Sequence, residues 1–178
     1  MTDLKNEFTK TVATRIQSFK GWSILLALVL VATTAGAAQA YNGGANGRTF
    51  NATFIKWVTT STPAPGVLAN MVGVVGGDVG PGTYTGEVIS KNTVGNMTSI
   101  EALYHLNGSK YAFTADLKIT HNESTGRATI TGRVTEGWLK GASVSGKYNT
   151  LAVCPIETPD NAYGTVCFKG VLHVRVAK

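Results

Sequence analysis

From Thr125 to Val176 the chain alternates small or apolar residues with polar ones, in runs broken by glycine. Ala128, Ile130, Gly132 and Val134 share one parity, and Thr129, Thr131, Arg133 and Thr135 share the other. After Glu136-Gly137-Trp138-Leu139-Lys140-Gly141 the pattern resumes at Ala142-Ser143-Val144-Ser145-Gly146-Lys147-Tyr148. A period of two is the signature of a strand with unlike faces, and the glycine-containing breaks are where such a strand reverses. The tail therefore reads as an antiparallel β meander.

The same reading extends upstream. Thr49 to Val58 is rich in β formers and reads as a first strand, stopped by Ser61 to Gly66 with Pro63 and Pro65. The apolar, glycine-rich stretch from Met71 to Gly82 reads as a short strand entering a tight turn. A strand over Thr83 to Ser90 and a polar loop over Lys91 to Asn96 follow. Asn107-Gly108 is the strongest short hairpin signal, joining strands Thr98 to Leu106 and Lys110 to Thr120. A turn over His121 to Gly126 leads into the tail. No stretch after residue 40 holds an apolar 3.6 period long enough for a substantial helix. Glycines inside the strands (Gly86, Gly132, Gly146, Gly170) suit the tight coiling of a small closed sheet. The expected fold is all-β: a small antiparallel up-and-down barrel of about eight strands, preceded by an N-terminal signal helix.

The first 40 residues carry that signal. A polar flank with Lys5, Lys10, Arg15 and Lys20 precedes an uncharged run from Gly21 to Ala38, which ends in the small-x-small pattern Ala38-Gln39-Ala40. That is the order a secretory signal peptidase reads, and the greasy centre is short for a spanning helix. An uncleaved anchor with the basic flank inside is the alternative. Either way the remainder is expected to be secreted or extracytoplasmic. The expected organisation is a signal over 1–40, a flexible leader over 41–48 and a β-barrel domain over 49–178. Cys154 and Cys167 are then expected to form a disulfide, which in the chain-entropy model stabilises by about 3 kcal/mol. Residues 1–40 hold four of the 16 basic and two of the 10 acidic residues, so the rest keeps a net +4. Those basic residues are scattered singly, Lys56 among them, and no run or face gathers them. Nucleic acid is not an expected partner. Membrane contact is expected only through the N-terminal segment if it is uncleaved.

Candidate chemistry is sparse. Glu101 and His105 share a parity, and Asp116 faces the same side of the neighbouring strand, so the three are the weak candidates for an acid–base cluster. The opposite parity carries Tyr104, Leu106, Tyr111, Phe113, Leu117 and Ile119, which must fill the interior; this places the carboxylates outside, in water. His173 also reads as outward, with no second histidine at ligand spacing, so no metal and no cofactor are expected. Trp57, Tyr84, Tyr104, Phe113, Trp138 and Tyr148 are the candidates for lining a ligand pocket, and plain core is their other reading.

Thr125-Gly126-Arg127-Ala128-Thr129-Ile130-Thr131-Gly132 and Gly137 to Tyr148 resemble the allene oxide cyclase-like barrel, whose relatives include the dirigent proteins. Gly73 to Val88 and Cys167-Phe168-Lys169-Gly170-Val171-Leu172 are similar to exported bacterial proteins of that kind. The resemblance covers about residues 70–176. It implies an eight-stranded antiparallel barrel with a cavity for an apolar molecule, and it carries no site residue over. The expected function is an exported, non-enzymatic barrel that holds a small apolar ligand or serves a structural role. The alternative is a cofactor-free cyclase or isomerase acting on an apolar substrate in the barrel.

Overall fold

A computed structural model describes residues 47–157 and 166–176. The expected signal (1–40) and nearly all of the leader (41–48) lie outside the described residues. Eight strands follow in order: β1 Thr49–Val58, β2 Ala69–Gly77, β3 Gly82–Val94, β4 Met97–Gly108, β5 Ala112–Asn122, β6 Arg127–Gly137, β7 Ser143–Leu151 and β8 Cys167–Arg175. Each pairs antiparallel with its sequence neighbours, and β8 also pairs with β1 (Phe54 opposite Gly170, Lys56 opposite Phe168), closing the sheet into a barrel. Among the described residues there is no helix.

Closure explains the alternation. The parity with Ala128, Ile130 and Val134 in β6, and with Val144 and Tyr148 in β7, points inward and is buried. Thr129, Thr131 and Arg133 are exposed. In β4 and β5 the buried apolar set is Ala102, Tyr104, Leu106, Phe113, Ala115, Leu117 and Ile119, with Thr98 and His121 buried beside it. Tyr111 is only half-buried, because it sits in a turn and stacks on Trp138 with ring centroids 4.0 Å apart. Removing this apolar surface from water is the main drive for the fold.

Several expected boundaries shift. Asn107-Gly108 is not the β4–β5 turn: the strand runs through it, and Ser109 to Tyr111 make the reversal. Gly108 is used for close approach instead, since a Cβ there would lie 2.2 Å from the Val79 carbonyl oxygen. The stretch Lys91 to Asn96 is not a loop, because β3 and β4 extend across it and reverse at Gly95-Asn96. Gly95, with φ of +58°, provides the positive φ that a two-residue hairpin of type II′ needs at its first position. His121 belongs to β5, and the turn that follows begins after Asn122.

Candidate functional site

Along β1, residues 52, 54, 56 and 58 share a parity, and the inward positions Ala52 and Phe54 are followed by Lys56. The lysine is 2 % exposed. No carboxylate lies within ion-pair distance of it among the described residues. Its Nζ is hydrogen-bonded to Tyr104 Oη and donates to Met71 Sδ at 3.3 Å. Aromatic rings surround it, with centroids at 4.2 Å for Tyr104, 5.1 Å for Tyr148, and 5.7 Å each for Phe54, Tyr84 and Phe168. Ring faces attract an ammonium, but among the described residues no carboxylate offsets the cost of removing it from water. Burial wins, and it holds the Lys56 amine well below the ordinary lysine range.

The tyrosines shift the other way. Burial pushes Tyr84, Tyr104 and Tyr148 up, so their hydroxyls keep their protons. Burial thus favours the uncharged form of both groups, an amine and a phenol, and between these either partner can donate the hydrogen bond. Tyr84 Oη is buried beside Tyr104, whose ring centroid lies 5.0 Å from that of Tyr84. Two glycines make room for this cluster. A Cβ on Gly86 would lie 2.4 Å from Tyr84 Oη, and one on Gly170 would lie 2.5 Å from Phe54 Cζ and 2.7 Å from Tyr148 Cβ.

Above the cluster lies a cavity of about 370 Å³ at the end of the barrel where β1 finishes and β2 begins. Lys56, Met71, Tyr148 and Phe168 border it on the inner side, and its walls are mostly apolar. Its rim carries Lys91, His121 and Glu123. His121, 8 % exposed, has Nδ1 3.4 Å from Glu123 Oε1 and Nε2 3.3 Å from Thr150 Oγ1. The Thr98 hydroxyl donates to Glu123 Oε1 at 2.8 Å. That hydrogen bond first, against an opposing effect of burial, and then the neighbouring His121 and Lys91 hold the Glu123 carboxyl below its usual value.

The acid–base candidates read from the sequence lie elsewhere. Glu101 is on the outer face, 3.8 Å from Lys118 Nζ and accepting from Ser90 Oγ at 3.2 Å. His105 Nδ1 is 3.1 Å from Thr114 Oγ1, and Asp116 is exposed opposite Leu103 and Arg133. No hydrogen bond or ion pair among the described residues joins the three. Of the pocket candidates, Tyr148 borders the cavity and Tyr104 holds the lysine at its base. Tyr84 and Phe113 are core. Trp138 packs between Tyr111 and Phe50 in the β6–β7 turn. Trp57 is buried but has the parity opposite to Lys56 and is not part of the interior cluster.

The titratable side chains that line the cavity are therefore Lys56, Lys91, His121, Glu123 and Tyr148. The signal for Lys56 was present as a charge on the Phe54 parity of β1. Cys154 and Cys167 stand at disulfide distance, Cα–Cα 5.5 Å, with β8 beginning at Cys167. Among the described residues no group of three His, Cys, Asp or Glu side chains is arranged to hold a metal. Set against protein-family models, curated proteins and solved structures, the chain matches none.

Proposed function

We propose that this protein is an exported barrel that holds one small, mainly apolar ligand in the cavity at its β1–β2 end. One observation carries the reading: a cavity of about 370 Å³, within the range of small-molecule sites, is walled by apolar side chains and carries a few convergent polar groups. Eight strands enclose room for at most one modest ligand. Export is supported by the leader pattern of residues 1–40 and by a cysteine pair placed to bridge. Kinship with the allene oxide cyclase-like barrels is part of the same proposal, resting on the sequence resemblance and consistent with the strand number and meander order.

Native mass spectrometry of the protein purified from its own host tests the reading. A co-purifying small molecule that disappears in Ala69→Trp, which fills the cavity, is the expected result. A clean unliganded mass, together with no uptake of apolar probes, would overturn it.

A second reading, a cofactor-free cyclase or isomerase, is favoured by one observation. Two titratable groups inside the barrel, Lys56 and Tyr104, are hydrogen-bonded to each other, and a His121–Glu123 pair borders the same cavity. Ligand recovered with a shifted double bond, or with hydrogen exchanged for deuterium from the solvent, supports this reading; ligand recovered unchanged supports the carrier.

A further inference from the structure

We infer that the ligand this cavity accepts carries an aldehyde or ketone, which Lys56 holds as an imine; this rests on the cavity being a ligand site. The geometry at the inner side of the cavity leads there. Lys56 Nζ lies 5.1 Å from the Tyr148 ring centroid, 5.7 Å from that of Phe168 and 3.3 Å from Met71 Sδ, and all three side chains border the cavity. A molecule filling the cavity thus brings its inner end up to the amine. A lysine at that depth, with no carboxylate partner among the described residues, is a cost to the fold, since an apolar side chain of the same length would fit the parity. What the amine supplies in return is a nucleophile. Burial disfavours its charged form, which favours the free lone pair that a solvated lysine at neutral pH lacks.

Tyr104 completes the arrangement. The amine lone pair attacks the carbonyl carbon, forming the N–C bond, while the carbonyl oxygen takes a proton from Tyr104 Oη. The nitrogen then returns a proton to the phenolate, leaving a neutral carbinolamine. In the second stage Tyr104 protonates the departing hydroxyl. The C–O bond breaks, the nitrogen lone pair closes the C=N bond, and one water is released. The iminium proton goes back to the phenolate. Nothing is oxidised or reduced, and no co-reactant is needed. A carboxylate ligand suits the site less well, because it would need the amine to gain a proton on binding.

Reductive trapping tests the inference. The protein is incubated at pH 7 with octanal and cyanoborohydride, which reduces an iminium in preference to a free aldehyde, and in parallel with octanol and octanoate. Hydride reduction of an imine gives a secondary amine, so the intact mass rises by that of the aldehyde less one oxygen atom. Peptide mapping locates the adduct. The expected result is an adduct at Lys56 formed at least about tenfold faster than at any surface lysine, and slowed at least about tenfold in Tyr104→Phe. Lys56→Met should remove it, and the mapping of the unaltered protein stands independently if that variant fails to fold. If octanol or octanoate binds but Lys56 is not trapped, or is trapped no faster than surface lysines, the imine is refuted and the ligand cavity stands. If none of the three probes binds, the cavity reading falls and the imine with it.

Discussion

Replacing Lys56 with methionine should flatten the dependence of stability on pH between neutral and mildly alkaline conditions. In the folded barrel the amine titrates well below 10.5, whereas in the unfolded chain it titrates at about that ordinary value. Between those two values the unfolded state binds a proton that the native state does not, so stability rises with pH, by about 1.4 kcal/mol for each pH unit. Two units inside the window add about 2.7 kcal/mol, which moves a urea midpoint by about 1–2 M for a domain of this size. The pH below which the rise stops reads the native amine directly. Above about pH 10 the sign reverses. Unfolded tyrosines then ionise while buried Tyr84, Tyr104 and Tyr148 keep their protons, so the native state binds more protons and loses stability. The unaltered protein should therefore be most stable near the crossover.

In Lys56→Met the rising limb should vanish and the falling limb remain. The offset at pH 7 has two parts: relief from holding an unpaired amine in the interior, and the loss of about 1–3 kcal/mol from leaving Tyr104 Oη without its partner. Lys56→Met/Tyr104→Phe removes the second part, so the double variant should exceed the parent in stability at pH 7 by about 1–4 kcal/mol. Urea unfolding followed by tyrosine and tryptophan fluorescence, from pH 6.5 to 10, provides the curves. Parallel curves for parent and Lys56→Met across that range would refute the reasoning, because they would mean that the lysine is charged and solvated in the folded state.

Gly170→Ala should destabilise by about 1–3 kcal/mol or more, read as a lowered urea midpoint, since its methyl would press on Phe54, Tyr148 and the Lys147 carbonyl at once. Replacing both Cys154 and Cys167 with serine should cost about 3 kcal/mol, and adding reductant to the parent should lower its melting temperature similarly while leaving the variant unchanged. Thr98→Val should raise the Glu123 carboxyl towards its ordinary value, as followed by NMR titration of that side chain. A lowered native carboxyl contributes stability above the unfolded value that is lost as pH falls. With Glu123 about half exposed, this contribution should stay within about 1 kcal/mol.

The architecture was legible because β5, β6 and β7 alternate along nearly their whole length: turning any of them over would bury its polar side chains and expose its apolar ones. The outward position of Glu101 and Asp116 followed from the same parity. The turns were less legible. Asn107-Gly108 has the composition of a two-residue hairpin, but closure brings the β2–β3 turn against β4, and Gly108 is needed where the Val79 carbonyl approaches. The site was least legible. On β1 both parities carry aromatic residues, Phe54 on one and Trp57 on the other, so local alternation did not decide which side Lys56 would take. His121 ends a strand whose outward members are polar, and at the end of a run a histidine reads as the start of a turn. What places both inside is the register with strands distant in sequence.

That dependence on distant strands says what kind of site this is. The rings around Lys56 Nζ come from β1, β3, β4, β7 and β8, and no two consecutive strands in sequence would enclose it alone. In an open sheet the flexible stem of Lys56 would carry its amine around an edge to water; only pairing of β1 with β8 removes that edge. The seam joins the first and last strands of the barrel, the pairing with the largest loop-closure cost. The bridge at Cys167 holds the start of β8, opposite Leu151 of β7 and next to Phe168, which faces Lys56 across the seam. The disulfide and the buried amine are therefore coupled. Loosening the seam would give Lys56 its water and its proton back, so the bridged chain is the state in which the amine stays buried.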